Sequence, residues 1–278
     1  MWQELGIPQP IWDTLIRAWS PATTKQYTGA AKRWRQYTTS HNISATNPSV
    51  AQVLSYLQNL TTEGAGYGTV NTAKSFLSAF ISLEGTQLGT HPLVARFMRG
   101  LYRKDAPKSK YTDTWDPRPI LLTMSNWGTI GALSLEHLTK RTAMLFLLAT
   151  GQRLQALAKL KREDIKWGPK SCRITYTERL KSNDPKKNPL VLRFCQKEDT
   201  RTCVYTHLFC YLRRPETNNA APYTFATLRE PHTQAAPDTI SRWVRETLTE
   251  GGVSSLYTPY STRHAATNAA SRSQVPLP

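Results

Sequence analysis

Apolar residues recur at helical spacing along the first 105 positions. Ser20 and Pro21 open the first amphipathic segment, and Asn47 and Pro48 open a second. A third segment, "TVNTAKSFLSAFISLEG", is predicted to end near Gly85, and "HPLVARFMRGLYRK" forms a fourth. The pattern predicts a compact helical domain over residues 18–105, preceded by an N-terminal extension over residues 1–17.

The pattern changes after residue 105. Residues 106–119 are polar and contain three prolines, which is typical of a linker. A helix with the core "LEHLTKRTAMLFLLAT" follows, and "SCRITYTERLKS" and "LVLRF" then alternate like two strands around the turn "NDPKKNP". Helical spacing returns in "CVYTHLFCYLRR", "APDTISRWVRETLTEGG" and the terminal stretch. The sequence therefore predicts a mainly α protein of two domains, with a small β-hairpin or sheet inserted in the second, residues 120–278.

Charge narrows the class of partner. The chain carries 36 Lys and Arg against 19 Asp and Glu, a net charge of +17. Both halves are basic, so a polyanion contacted by both, most simply nucleic acid, is predicted. A basic soluble protein with no such partner is the alternative. No apolar run reaches the ~18 residues that span a bilayer, and the first residues do not resemble a secretory signal. We therefore expect a nuclear protein, or a cytoplasmic one if the source is prokaryotic, with reduced cysteines, no membrane contact and no small-molecule substrate.

One cluster invites a zinc interpretation. Cys203, His207 and Cys210 share a helical face, and Cys195 precedes them. The same stripe contains Val204, Leu208 and Tyr211, and no paired C-x-x-C is present. A core-facing stripe of small apolar cysteines is the preferred interpretation, and no metal or other cofactor is predicted.

A second constellation is scattered along the chain. Arg153 follows Gly151 at the start of a helix, Lys181 stands at the predicted end of the first hairpin strand, and Arg263 begins another helix. Two arginines on rigid elements and a lysine on a mobile hairpin suit the binding of a phosphodiester, since Arg binds phosphate oxygens in a bidentate manner. Taken singly, each is better explained as a solvated basic residue, and only their order and settings together favour the phosphodiester interpretation.

These segments carry a family resemblance. "ATGQRLQALAKLKREDI", the hairpin lysine and "YSTRHAATNAA" resemble, in this order, the catalytic domain of the tyrosine recombinases of phage-integrase type. The sequence pattern of these motifs is most similar to that of the recombinases of DIRS-type retrotransposons, which implies an origin in a transposable element. The resemblance extends over essentially the whole chain. It implies a helical, SAM-like core-binding domain before the linker and a C-shaped clamp on double-stranded DNA.

The resemblance also implies roles. In the family a tyrosine attacks a DNA phosphate and forms a phosphotyrosyl link, without metal or ATP. Arg153 and Arg263 would hold the oxygens of that phosphate, and Lys181 would be the general acid toward the leaving group. Lys186 and Lys187 in the same turn are rivals for that role.

Three departures from the family pattern concern the chemistry. Tyr260 stands where the family has a histidine, and His264, about 100° further around the helix, is a candidate substitute. Ala156 stands where many relatives have an acidic residue. No tyrosine follows Tyr260, so either a C-terminally truncated enzyme or a decayed recombinase that only binds DNA is expected. An RNA-binding or structural helical protein is a third alternative.

Cations of the first domain are candidate phosphate contacts, although each is equally well explained as part of a solvated face. They are Lys25, Lys32, Arg33, Arg35 and Lys74. The expected partner is double-stranded DNA, on which the chain could form a homo-oligomer.

Overall fold

The structure is a computed structural model that describes residues 2–108, 111–181, 183 and 185–272. Its contacts divide the chain into two compact units, Met1–Lys110 and Tyr111–Pro278. Within the described residues, no helix has both the length and the apolar character to cross a membrane. The mainly helical fold with small antiparallel sheets confirms the predicted fold class.

The first unit is built from five helices and a two-stranded ribbon. Its elements are α1 (Gln9–Arg17), α2 (Pro21–Ser40), α3 (Val50–Thr62), α4 (Tyr67–Ser78), β1 (Ser82–Leu83), β2 (Thr86–Gln87) and α5 (Pro92–Lys104). The prediction that the third helix reaches Gly85 is wrong, because α4 ends at Ser78. Glu84 and Gly85 adopt positive φ angles of 50° and 77°, which turn the chain back into the ribbon.

The N-terminal extension contributes a helix to this unit. Trp2 stacks on Trp19 with ring centroids 6.0 Å apart and lies 5.7 Å from Phe80, which follows α4. Trp19 in turn meets Tyr27 edge to face at 5.1 Å. Aromatic packing therefore attaches residues 2–17 to the helical core, whereas the sequence analysis begins the domain at residue 18.

The second unit surrounds a buried helix. Its elements are α6 (Pro117–Asn126), α7 (Leu135–Thr150), α8 (Leu154–Ala158), β3 (Ile165–Trp167), β4 (Ser171–Thr175), β5 (Val191–Cys195), α9 (Val204–Leu212), α10 (Pro237–Glu250) and α11 (Ser261–Arg272). The three strands form one antiparallel sheet in the order β3-β4-β5, so the predicted hairpin gains a strand that the sequence analysis missed. That strand is only three residues long, too short to show an alternation.

Helix α7 is the centre of the second unit. Every residue from Leu138 to Leu147 is buried, and α9, α10 and α11 all pack against it. The buried Lys140 ammonium lies 2.5 Å from Glu136 and 2.8 Å from Glu246 of α10. Burial opposes the charged form, but the bonds to these two carboxylates outweigh it and raise the pKa of Lys140. The ion pair thereby ties α10 to α7.

Helix α11 is attached to the segment that precedes α6. The Trp115 indole N–H donates to Ser261 Oγ at 2.9 Å, and Ser261 Oγ donates to the Thr258 carbonyl at 2.7 Å. The Tyr111 hydroxyl accepts from the Thr258 backbone N–H at 3.1 Å and lies 2.5 Å from Thr258 Oγ1. Residues 111–115, which the sequence analysis assigns to the linker, therefore fix the start of α11.

The cysteine and histidine stripe does face the core. Cys203 and His207 are fully buried and Cys210 is partly buried. Cys203 Sγ accepts the backbone N–H of Lys197 at 3.2 Å, and His207 Nδ1 lies 2.9 Å from the Cys203 carbonyl. The described residues include no group of three or more His, Cys, Asp or Glu side chains arranged to hold a metal ion.

We predict that His207 makes the stability of the second unit depend on pH. Burial lowers the pKa of His207 to about 4 from its model-compound value of 6.5, so the unfolded chain takes up a proton first as pH falls. The free energy of unfolding should therefore fall between those two values, by at most about 1.4 kcal/mol per pH unit. Denaturant unfolding across this range should show a shallower pH dependence in His207→Gln. The exposed His41→Gln is the control and should match the wild type. An unchanged slope in His207→Gln would contradict the assignment.

A second prediction concerns the bond between Trp115 and Ser261. Trp115→Phe removes the indole donor from a buried hydroxyl and should lower the free energy of unfolding by about 1–3 kcal/mol. Because Ser261→Ala removes the other partner, the double variant should cost less than the sum of the two single variants. Strictly additive costs in a denaturant double-mutant cycle would show that the two side chains do not interact.

Candidate functional site

Arg153 is positioned by the end of α7. Gly151 ends that helix with a φ angle of 60°, a left-handed conformation that glycine adopts without strain. Two residues later Arg153 is the half-buried N-cap residue of α8, in extended backbone. Leu157 and Leu160 are fully buried and hold α8 to the core. The backbone on both sides of Arg153 is therefore fixed by packing.

Arg263 is positioned by the first turn of α11, which packs against α7. A Cβ built on Gly151 would lie 4.0 Å from Arg263 Cγ and 3.8 Å from Thr267 Cγ2. Arg263 and Thr267 are one turn apart, so this face of α11 lies directly on the Gly151 turn. The aliphatic stem of Arg263 therefore crosses the chain two residues before Arg153.

This contact brings the two arginines together. Two Cα–Cα steps separate Gly151 from Arg153, at most about 7.6 Å. Arg263 Cγ lies against Gly151, so both guanidinium groups can extend to the same region of the surface. Arginines in such a setting present two planar donor forks to one anion. The structure thus juxtaposes two of the three positions that the sequence singled out.

Tyr260 and His264 lie beside Arg263 on the outer side of the same turn. Both side chains are exposed, and their rings meet edge to face with centroids 5.5 Å apart. The His264 ring is also 6.3 Å from Tyr111, whose ring stacks on Tyr257. An aromatic cluster therefore flanks the site on this side, with one imidazole at its surface.

Lys181 is not at the end of a strand. Strand β4 ends at Thr175, and Lys181 lies exposed in the connection to β5, together with the exposed Lys186 and Lys187. The last paired residues of β4 and β5 are Thr175 and Val191, so the strand pairing ends before Lys181. The structure shows no contact between Lys181 and Arg153 or Arg263.

The base of that connection is nevertheless attached close to the site. Lys159 Nζ donates to the Arg179 carbonyl at 3.0 Å and lies 3.4 Å from Glu178. Glu178 also accepts from the Tyr223 hydroxyl at 2.9 Å. Despite its partial burial, these bonds lower the pKa of Glu178. Lys159 directly follows α8, so the residue that anchors the connection lies one short helix, about 9 Å along its axis, from Arg153.

The predicted cations of the first unit do not form one face. Helix α2 buries Trp34, and at about 100° per residue Lys25 and Lys32 lie opposite it. Arg33 and Arg35 point to opposite flanks of the helix. All four side chains are exposed, whereas Lys74 of α4 is half-buried.

Helix α5 carries a denser stripe that the sequence analysis missed. Arg96, Arg99 and Arg103 are exposed and fall within about 60° of arc, opposite the buried Val94 and Met98. No ion pair joins these arginines to any residue within the described ranges. Their i, i+3, i+7 spacing was the signal that could have identified them.

Comparison with solved structures shows the same fold. XerH recombinase bound to difH in a pre-cleavage complex matches 81% of this chain and 60% of its own, at 9% identity and a TM-score of 0.50. Lambda integrase residues 75–356 bound to DNA matches 94% of this chain and 84% of its own, at 14% identity and a TM-score of 0.56. The Tn1549 transposon integrase with circular intermediate DNA matches 82% and 74%, at 14% and a TM-score of 0.52.

The chain thus spans 60% of the length of the XerH protein that it matches. No curated protein sequence matches it significantly. The sequence pattern of the Phage integrase family matches residues 125–278, which contain Arg153, Lys181 and Arg263. This match covers more than half of the chain and coincides with the unit in which α7 and α11 bring the two arginines together. The chain therefore belongs to the phage integrase family, the tyrosine recombinases.

Proposed function

We propose that this protein binds duplex DNA and takes part in DNA recombination and integration, with one backbone phosphate held between Arg153 and Arg263. The observation that carries the proposal is the contact between the Arg263 stem and Gly151, two residues before Arg153. Two arginines that the packing of α7, α8 and α11 brings together offer more donors and more charge to one anion than a single solvated cation does. They match the charge and the planar oxygen pairs of a phosphodiester.

The chemistry of such a site follows from its charges. A phosphodiester carries one negative charge, and further charge develops on its oxygens when an oxygen nucleophile attacks the phosphorus. Two arginines held in place stabilise that additional charge without reorganisation of solvent. Lys181 is the proposed general acid, with Lys186 and Lys187 as rivals on the same connection. All three lie on a connection whose base is anchored at Glu178 and Arg179.

Several observations support DNA as the partner. The chain has a net charge of +17, and the similar solved structures are described as bound to DNA. On α5, the stripe of Arg96, Arg99 and Arg103 offers phosphate contacts in addition to those proposed on α2 and α4. Lambda integrase is described both as a dimer and as a tetramer on DNA. Assembly of this chain on its DNA is accordingly part of the proposal.

An origin in a transposable element is a further part of the proposal. It is supported by the resemblance of the motifs "ATGQR" and "YSTRHAA" to those of DIRS-type recombinases and by the similarity in fold to the integrase of the Tn1549 transposon. A nuclear location would accompany a retrotransposon of the DIRS type.

A second candidate function is DNA binding without strand cleavage. Tyr260 favours it, because this exposed phenol stands one turn before Arg263, where the family resemblance places a histidine. Imidazole is the side chain suited to proton transfer at neutral pH, and a phenol does not replace it in that role. The adjacent His264 contacts Tyr260 and remains the candidate substitute.

The phosphate site predicts the effect of removing either arginine. Arg153→Gln and Arg263→Gln should each weaken duplex binding at every sequence and lower the slope of log affinity against log salt by about 0.9. The exposed Arg229→Gln removes equal charge away from the site and should leave the slope unchanged. Fluorescence anisotropy at several salt concentrations measures both. Slopes identical in all three variants would refute the site.

A denaturing gel, which detects a covalent protein–DNA product, distinguishes strand cleavage from DNA binding alone. The full chain is incubated with a nicked duplex that traps a covalent protein–DNA product. A covalent product needs a tyrosine nucleophile, which the family resemblance places after Tyr260, where the sequence has none. Neither the wild-type chain nor Tyr260→His should therefore form that product, while the duplex affinity of the two stays within a few-fold. A covalent product from the wild-type chain that is lost in His264→Gln would instead make His264 the shuttle and reject the binding-only candidate.

A further inference from the structure

Three cations lie side by side across the sheet of the second unit. Lys166 of β3 is the direct partner of Arg173 of β4, and Arg173 is the direct partner of Arg193 of β5. All three side chains are exposed. Directly opposed residues of neighbouring strands project from the same face of a sheet, so they form one cationic row.

The alternation of burial confirms which face this row occupies. The neighbouring set of partners is Ile165, Ile174 and Leu192, of which the first two are buried and the third half-buried. That set packs toward the core, so the cationic row faces away from it. Trp167 also points to the core side, where its ring meets Tyr205 and Phe209 at 5.5 Å and 5.4 Å.

The cationic row has no ion-pair partner among the residues that the structure describes. Like charges directly opposite one another destabilise a sheet, and none of the three side chains forms an ion pair with a described residue. Three carboxylates close to the row along the chain pair with other cations: Glu163 with Lys161 at 3.6 Å, Glu178 with Lys159 at 3.4 Å, and Asp199 with Arg201 at 3.0 Å. The fold therefore keeps an unfavourable arrangement that an external polyanion would relieve.

We propose that the cationic row binds the phosphodiester backbone of duplex DNA, at a segment separate from the phosphate held by Arg153 and Arg263. The inference rests on the proposed function and extends it to a second contact surface. Neighbouring strands are about 4.8 Å apart, so the row spans about 10 Å. Phosphates of one DNA strand advance about 3.4 Å each along the helix axis, so about three of them fall within that span.

The position of the row relates it to the arginine site. Arg193 also lines a groove of about 450 Å³ together with Ala266 and Ala269 of α11, the helix that carries Arg263. The β5 end of the row is therefore the end nearer to the two arginines. A duplex bound at the two arginines would contact the row with the part that flanks the bound phosphate.

The composition of this face favours a duplex backbone over other anions. Apart from the row, the exposed face of β4 and β5 presents Ser171, Thr175, Val191 and Cys195. Aromatic residues that stack on unpaired bases or enter a lipid interface do not occur among these strand residues. Charge without a stacking surface suits phosphates of paired DNA.

The test compares a duplex of about one helical turn, which fills only the arginine site, with one of about four turns. The variant K166T/R173T/R193T removes the row and keeps residues that favour strands. On the long duplex its salt slope should be lower than that of the wild type by about 2.7, so that wild-type affinity falls about 40-fold more between 50 and 200 mM salt. On the short duplex the two proteins should have the same slope.

Two control variants complete the design. K166R/R173K/R193K retains the charges and should keep the wild-type slope, whereas R118Q/R201Q/R229Q removes three exposed cations elsewhere and should also keep it. The thermal midpoint of the threonine variant should equal or exceed that of the wild type, because the repulsion is gone. If that midpoint fell, Arg173→Thr alone, which leaves both neighbouring strands intact, should still lower the slope by about 0.9.

An unchanged slope of the threonine variant on the long duplex would overturn the inference while leaving the arginine site in place. Loss of binding to vesicles of anionic lipid, with unchanged DNA binding, would assign the row to a membrane surface and overturn it as well. A wild-type chain that binds neither duplex would refute the proposed function itself, and the inference with it.

Discussion

The packing of α11 on the end of α7 is the constraint on which the site depends. The contact is made at the left-handed turn of Gly151, where a Cβ would lie at ordinary van der Waals distance from Arg263 and Thr267, and it is the φ angle of 60° that favours glycine there. Any other residue at that φ angle would be strained, by about 1 kcal/mol for alanine. The same turn ends α7, starts the path to Arg153 and provides the surface that the Arg263 stem crosses. One glycine thus couples the two arginines. The bond from Trp115 to Ser261 holds the start of α11 against this contact.

The charged side chains of the protein either join elements of the fold or remain exposed. Inside the second unit, Lys140 is held by Glu136 and Glu246, and Lys159 is held by Glu178. The acidic groups of these pairs join helices and anchor the connection between β4 and β5. The cationic row and the α5 stripe, in contrast, form no ion pair with any residue that the structure describes. Part of the net charge of +17 therefore lies on exposed surfaces that a polyanion can reach.

The sequence predicts those features that depend on local spacing. The span of α7 and the strand pattern on both sides of "NDPKKNP" follow from periodicity, and the order of Arg153, Lys181 and Arg263 indicates the family. What it could not predict depends on contacts between distant residues. The attachment of α1 by Trp2 and Trp19, the third strand beside β4 and the bond from Trp115 to Ser261 each need a partner far along the chain. The cationic row likewise appears only when the register of three strands is known.

The central claim is that Arg153 and Arg263 hold the same phosphate. It is tested most directly by replacing single phosphates of a bound duplex with neutral methylphosphonates, one position at a time. One position should weaken binding of the wild-type chain more than its neighbours do. At that position the substitution should have little further effect on Arg153→Gln and on Arg263→Gln alike. Sensitivity that disappears at one position for Arg153→Gln and at a different position for Arg263→Gln would show that the two arginines bind separate phosphates.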